Sequence, residues 1–368
     1  MAELPKGSAM FSSLRVVFPY GIVAAVFMCY APTSVARSAS VSATWTLAST
    51  TGPIPSAGFG HAMAFDATRG VTVLRTSFGD GETWEWDGAT WTRRFSAHNP
   101  PSPLGDAAMA YDGVRGRVIL FGGSGSAGSV RQETWEWDGT DWTRLAEFGP
   151  PGRFFHAMAY DSIRQRVVMF GGVSGGVPLS DTWEWNGATL TWTQRSNTGP
   201  GQRTGHSMTF DQSRGVVVLF GGLLAGVPEL QSDTWTWDGI AWQQVTVAGP
   251  SKRIQAAVEY APSIQQSVLF GGYDSDIYGD TWRWDGTAWE FRSLVSPSHR
   301  YGHKMVYDSL RNRIVMFGGN APPNGVVAET WELSLSSPKC PGDSNGDGMV
   351  NSADLSVLLA NFGSVCSP

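Results

Sequence analysis

Residues 153–192 read RFFHAMAYDSIRQRVVMFGGVSGGVPLSDTWEWNGATLTW. Within them lie four short runs, apolar on alternate residues and rich in aromatic and β-branched side chains, the pattern of half-buried strands. The breaks between the runs carry turn chemistry: Asp161 to Gln165, a Gly-rich stretch after Phe170, and Asn186-Gly187. One such unit is a twisted four-stranded meander with two apolar faces and nothing of its own to cover them. It recurs. Phe-Gly-Gly ends the second run at Phe121, Phe170, Phe220, Phe270 and Phe317, and Ser77-Phe78-Gly79-Asp80 is a decayed copy. Thr-Trp of the third run appears at Trp84, Trp135, Trp183, Trp235, Trp282 and Trp331, at intervals of 47 to 52 residues.

That period and the Gly-Gly pair with spaced aromatics resemble the kelch repeat, over Ala43 to Leu335. The resemblance implies an all-β, six-bladed β-propeller, placed at residues 41–337. How the ring closes is legible at its ends. A fourth-strand Trp follows the first five third strands, at Trp91, Trp142, Trp192, Trp242 and Trp289, and none follows Trp331-Glu332-Leu333. A stray Thr44-Trp45-Thr46 precedes the first repeat instead. The expectation is that this N-terminal strand completes the sixth blade, which hides the open edges.

The chain of 368 residues, with 42% apolar and 16% charged side chains, has ample material for a large core. A net charge of −6 without a basic patch argues against a nucleic-acid partner. Residues 1–36 read as a secretory signal: Lys6 and Arg15, an apolar run from Val16 to Ala31, then Ser34-Val35-Ala36 for cleavage. That run contains Pro19 and is short for a bilayer, so no stable span is expected. Met10 is an alternative start, and Cys29 belongs to the signal. The expected location is extracellular or at the cell surface.

Several polar positions recur with the repeat. His61, His156, His206 and His303 share one site, filled by Ala107 and Ala256 elsewhere; they fall on different blades, too far apart for one metal ion, and read as structural. Asp-x-x-Arg recurs at Asp66/Arg69, Asp112/Arg115, Asp161/Arg164, Asp211/Arg214 and Asp308/Arg311 as a scaffold ion pair in the turn after the first strand. Arg153, Arg203, Arg253 and Arg300 open the first strands of blades three to six, with Gly58 and Leu104 in blades one and two. If they point to the axial mouth, they form a one-sided cationic rim able to meet carboxylates or sugar hydroxyls; the alternative is pairing with neighbouring loops. The stretches after Gly-Gly, among them Leu223 to Ser232 and Tyr273 to Gly279, vary most and emerge on one face, where recognition usually lives. Tyr273 and Tyr278 are the aromatic candidates there.

Galactose oxidase is a kelch-propeller enzyme whose copper site needs a Cys-linked Tyr, and no Cys lies between Ala43 and Lys339. The Ser77-Phe78-Gly79-Asp80-Gly81 run misses the sialidase turn by one position, and hydrolase, zincin and P-loop motifs are missing. The reading is a secreted, non-enzymatic recognition protein that binds a protein or polysaccharide on its loop face. Its rival is a glycoside hydrolase or polysaccharide lyase with loop-borne catalytic residues.

After Pro338 the composition changes. Asp343, Asn345, Asp347, Met349 (through its carbonyl), Asn351 and Asp354 match the ligand positions of a twelve-residue calcium loop, with Gly348 at the turn. Asp at the last position, followed by Leu355, resembles a dockerin repeat, and Leu355, Leu358, Leu359 and Phe362 have helical spacing. Cohesin-binding dockerins carry two such repeats; this chain has one, so a cohesin-like or cell-surface partner are both open. Cys340 and Cys366 bracket this module at 340–368, and in an exported chain they read as a disulfide, worth roughly 3 kcal/mol on the chain-entropy model.

Overall fold

The computed structural model describes residues 42–336, except 49–50, 78, 147–148 and 226–228. The signal segment, the calcium-loop residues and Cys340 with Cys366 lie outside the described residues. Among the described residues six antiparallel blade sheets follow one another along the chain, the first five meanders in sequence order and the sixth completed by the N-terminal strand. Blade 3 shows the plan: Ala157–Asp161 pairs with Arg166–Phe170, which pairs with Thr182–Asn186, which pairs with Thr191–Ser196. The first strands of all six blades, Ala62–Asp66, Ala108–Asp112, Ala157–Asp161, Ser207–Asp211, Ala257–Ala261 and Lys304–Asp308, line one axial channel. This is a six-bladed β-propeller.

The sixth blade closes as the stray Trp requires. Ser42–Leu47 pairs antiparallel with Thr330–Ser336, in the register Trp45↔Leu333. Trp45 is 4% exposed and packs among Phe270, Met305, Ile314 and Leu335.

Core and closure share one physical device. Second-strand residues such as Val168, Met169 and Phe170 are fully buried, because each blade is covered on both faces. Each core cluster draws on two blades: Ala159, Val168 and Phe170 of blade 3 meet Met208, Val217 and Leu219 of blade 4. Alanine on the inner strands lets blades converge at the axis, and Trp fills the space where they diverge. The fourth-strand Trp of every blade donates its indole N–H to the third-strand Thr of the preceding blade. The six bonds are Trp91 to Thr330, Trp142 to Thr83, Trp192 to Thr134, Trp242 to Thr182, Trp289 to Thr234 and Trp45 to Thr281, at 2.8 to 3.2 Å. Only Trp45 can complete that circle.

The Asp-x-x-Arg turns are more than local. Asp66, Asp161, Asp211 and Asp308 are buried and bind their own Arg, while Arg115 pairs with Glu136 instead. Arg164 reaches Gly215 O, Arg214 reaches Gln265 O, and Arg311 reaches Gly70 O, each on the next blade. They are clamps between blades.

Candidate functional site

One end of the channel, where the Gly-Gly segments lie, is narrowed by a neck of six equivalent residues: Gly60, Asp106, Phe155, Gly205, Gln255 and Gly302. Each N–H donates to the carbonyl of the preceding blade, Asp106 to Gly60 at 2.8 Å and so on round to Gly60 donating to Gly302 at 3.3 Å. All six have positive φ, between 52° and 69°. Three are glycine, which adopts that region freely; Asp106, Phe155 and Gln255 do so against side-chain sterics. The Gly-Gly pair is dictated nearby: a Cβ on Gly172 (φ +91°) would sit 2.8 Å from Phe154 O and from His156 Cβ.

Around the neck runs a collar. In blades 2 to 6 the residue before the neck position bridges to the residue after Gly-Gly: Gly105 with Ser124, Phe154 with Val173, Thr204 with Leu223, Ile254 with Tyr273, and Tyr301 with Asn320. On blades 3 to 6 this places Phe154, Val173, Leu223, Ile254, Tyr273 and Tyr301 on one half of the face, all partly exposed. Phe154 lies 5.2 Å from Phe155, and Tyr273 lies 4.4 Å from Tyr301, centroid to centroid. Part of Leu223 to Ser232 is not the loop expected: strands Val216–Leu224 and Leu230–Trp237 resume pairing past an irregularity between Phe220 and Gly222, with Gly222 opposite Gln231 and Leu223 opposite Leu230.

The four arginines do not form an open cationic rim, and that expectation is corrected. Arg153, Arg203, Arg253 and Arg300 are essentially fully buried. Arg153 donates to both carboxylate oxygens of Asp181 at 2.6 and 2.9 Å and to Gly171 O at 3.0 Å. Arg203 and Arg253 hold Asp233 and Asp280 in the same way, and Arg300 holds Glu329 at 2.7 Å. The same acids accept the indole N–H of Trp183, Trp235, Trp282 and Trp331. Burial alone would raise the Asp181 carboxyl, but Arg153 more than offsets that and holds it below the usual range. These groups are spent on the scaffold. Tyr278 is held the same way, its ring 3.9 Å beneath the Arg253 guanidinium and its hydroxyl donating to Asp274 at 2.9 Å. Tyr273 stands on the collar.

The histidines sit between blades. His61, His156, His206 and His303 are buried, each edge-on to the Phe of the preceding blade's Phe-Gly-Gly. Burial, reinforced by nearby cations, pushes His61 and His206 down to about 3. They are neutral packing groups. Among the described residues, no cluster of three His, Cys, Asp or Glu side chains could hold a metal ion.

Behind the neck the channel widens to a cavity of about 390 Å³. Its inner strands read AMAFD, AMAYD, AMAYD, SMTFD, AVEYA and KMVYD from blade 1 to blade 6. Blades 1 to 3 present alanine and methionine; blades 4 to 6 place Ser207, Thr209, Glu259 and Lys304 at the alanine positions. Glu259 and Lys304 are surrounded by protein yet touch the channel water. Burial pushes the Glu259 carboxyl up to about 8, and burial lowers the Lys304 ammonium against the pull of Asp106. Asp106 itself is raised to about 6 by burial. Repeat counting misses these groups because it rewards what recurs. The usable signal was the two charged residues standing where other copies have alanine.

Residues 133–296 match the KLHDC2/KLHL20/DRC7 Kelch-repeats domain. The solved structure of YjhT superposes with a TM-score of 0.62 at 14% identity, over 77% of this chain and 98% of that one. No curated protein matches the sequence. Fold and repeat together define the class as a six-bladed, kelch-type β-propeller.

Proposed function

We propose that this protein is a non-enzymatic recognition module that binds a protein partner on its Gly-Gly face. The observation that supports this reading is the half-collar of Phe154, Val173, Leu223, Ile254, Tyr273 and Tyr301, apolar and partly exposed around a rigid neck. Clustered aromatic and aliphatic anchors are what protein interfaces use at their centres. Nothing in the family match or the structural likeness favours a hydrolase or lyase. Export by residues 1–36, and attachment through a calcium loop at Asp343 to Asp354 stapled by Cys340 and Cys366, complete the proposal. Among the described residues, no helix is long and apolar enough to cross a membrane.

The test is site-specific photo-crosslinking in the native host, with the probe at Ile254 on the collar or at Ile240, an exposed residue of the blade 4 turn between the third and fourth strands. A discrete protein adduct from position 254 alone is the expected result. Adducts from both positions, or none from 254 while a polysaccharide array binds saturably, would replace the protein partner with a carbohydrate one.

A further inference from the structure

The channel poses a separate problem from the collar. The Lys304 ammonium makes no hydrogen bond or ion pair with any described residue; Asp106 influences it from beyond ion-pair distance. The ammonium faces the channel water with no partner among the described residues, so it is free to pair with an anion that enters the channel. Glu259 stands on the adjacent blade, two strand positions further from the neck, roughly 7 Å along the axis at the usual strand rise. Its carboxyl accepts the Tyr307 N–H at 3.2 Å, and Thr209 accepts the Tyr260 N–H at 2.9 Å. On the opposite wall the equivalent strand positions carry alanine and methionine. The channel therefore has a polar half with one cation and an apolar half, an arrangement of unlike residues that a purely structural repeat does not need.

The two ends differ in access. At the neck the free space is about 30 Å³, lined by Asp106, Phe155, Gln255, Lys304 and the neighbouring histidines and glycines. That is room for about one or two waters. The large cavity continues instead to the opposite end, past Tyr111, Tyr160, Tyr260 and Tyr307 to the turn residues Ala67, Ser162 and Ser309.

We propose that the channel binds a small organic monocarboxylate, entering from the end opposite the collar. Its carboxylate pairs with the Lys304 ammonium, its apolar body lies against Ala64, Ala110 and Ala159, and Glu259 and Thr209 meet any hydroxyl it carries. The site is independent of the partner surface, from which the neck separates it.

Three groups give binding one pH sense. As pH falls from 8, the Glu259 carboxyl becomes neutral, Asp106 loses the negative charge that competes for the ammonium, and the buried Lys304 is shifted toward its charged form. The buried histidines, lowered by burial, stay neutral through this range, and Arg153, Arg203, Arg253 and Arg300 are already paired. Affinity rises from pH 8 toward pH 5.5.

The experiment is calorimetric titration of the full chain with hexanoate and benzoate, and with hexanamide and benzamide as neutral controls. Saturable binding of at least one acid and of neither amide is expected, tightening as pH falls. Lys304→Met, which keeps the length and leaves an apolar side chain like Met305, should weaken it at least ~10-fold, the scale of one lost charge-assisted contact; Lys304→Arg should retain it. Circular dichroism and melting of each variant establish that it is folded. No binding of either acid, equal binding of the amides, or unchanged binding by a folded Lys304→Met variant overturns the assignment.

Discussion

At the scale of single residues, the chemistry of this propeller is decided by what comes to meet each polar side chain. The Arg of the first strand is buried because an acid 27 to 30 positions later swings in to pair with it. The sequence shows both partners, but alternation reports only which side of a strand a residue takes. It does not report that Asp-Thr-Trp and Arg share one pocket, so a rim and an internal ion pair look the same. The histidines were legible as structural, and their burial has a measurable consequence. An unfolded His titrates near its ordinary value of 6.5, while His61 and His206 are held down to about 3. Their contribution is complete above pH 6.5 and is lost as pH falls toward 3, at roughly 1.4 kcal/mol per pH unit for each histidine. Melting temperature is therefore expected to fall below pH 6.5, before most carboxylates titrate. His206→Ala, which copies the alanine that blade 5 carries at Ala256, should melt lower at pH 7.5 but show a shallower decline between pH 6.5 and 4. An unchanged slope would show that the histidines are not the groups responsible.

At the scale of elements, the informative strand is the one out of place. Repeat counting finds a third strand with no fourth after Leu333 and a fourth with no third before the first blade, and an exposed sheet edge is a liability that closure removes. Antiparallel pairing of Ser42–Leu47 with Thr330–Ser336 is the physical solution. Loop geometry was less legible: Leu223 to Ser232 resembles a loop because Gly221-Gly222 interrupts the pattern, yet the register shifts there and pairing continues. Besides its backbone pairing, the closing strand is anchored in the core by Trp45. Trp45 packs tilted against Phe270, ring centroids 5.2 Å apart, and donates to Thr281. Trp45→Ala is expected to cost about 3–5 kcal/mol, the usual range for emptying a buried aromatic site. Trp45→Phe, which keeps most of the packing and loses the Thr281 bond, should cost about 1 kcal/mol plus a smaller packing loss. Urea unfolding of both variants separates the contributions. Equal stability of Trp45→Ala and the wild type would mean that the strand is not a structural closure.

At the scale of the whole molecule, the propeller is two compartments divided by a neck. The hydrogen-bonded ring from Gly60 round to Gly302 uses backbone groups alone, so it does not require the side chains of Phe155 and Gln255. Those residues nevertheless occupy left-handed backbone positions, at φ 55° and 52°, where glycine would sit without strain. The conformation costs a non-glycine residue about 1–2 kcal/mol, against the roughly 0.5–1 kcal/mol that glycine's extra chain entropy costs. Strain of that kind persists where the side chain has a use. Here two uses coincide: Phe155 extends the aromatic collar, and both side chains narrow the passage to the channel. The double variant Phe155→Gly/Gln255→Gly should keep the ring and melt within a few degrees of the wild type. It should lose the partner captured from the collar, since that surface is cut at its centre. Carboxylate affinity at Lys304 should fall by less than Lys304→Met loses, because Phe155 and Gln255 border the neck void beside Lys304 but bring it no hydrogen bond, while hexanoate exchange becomes faster as a second entrance opens. Line-shape analysis of hexanoate resonances reads the exchange, and crosslinking at Ile254 reads the partner. A fall of more than ~10 °C in melting temperature would assign both side chains to packing, and unchanged exchange would show that the neck does not separate the two compartments.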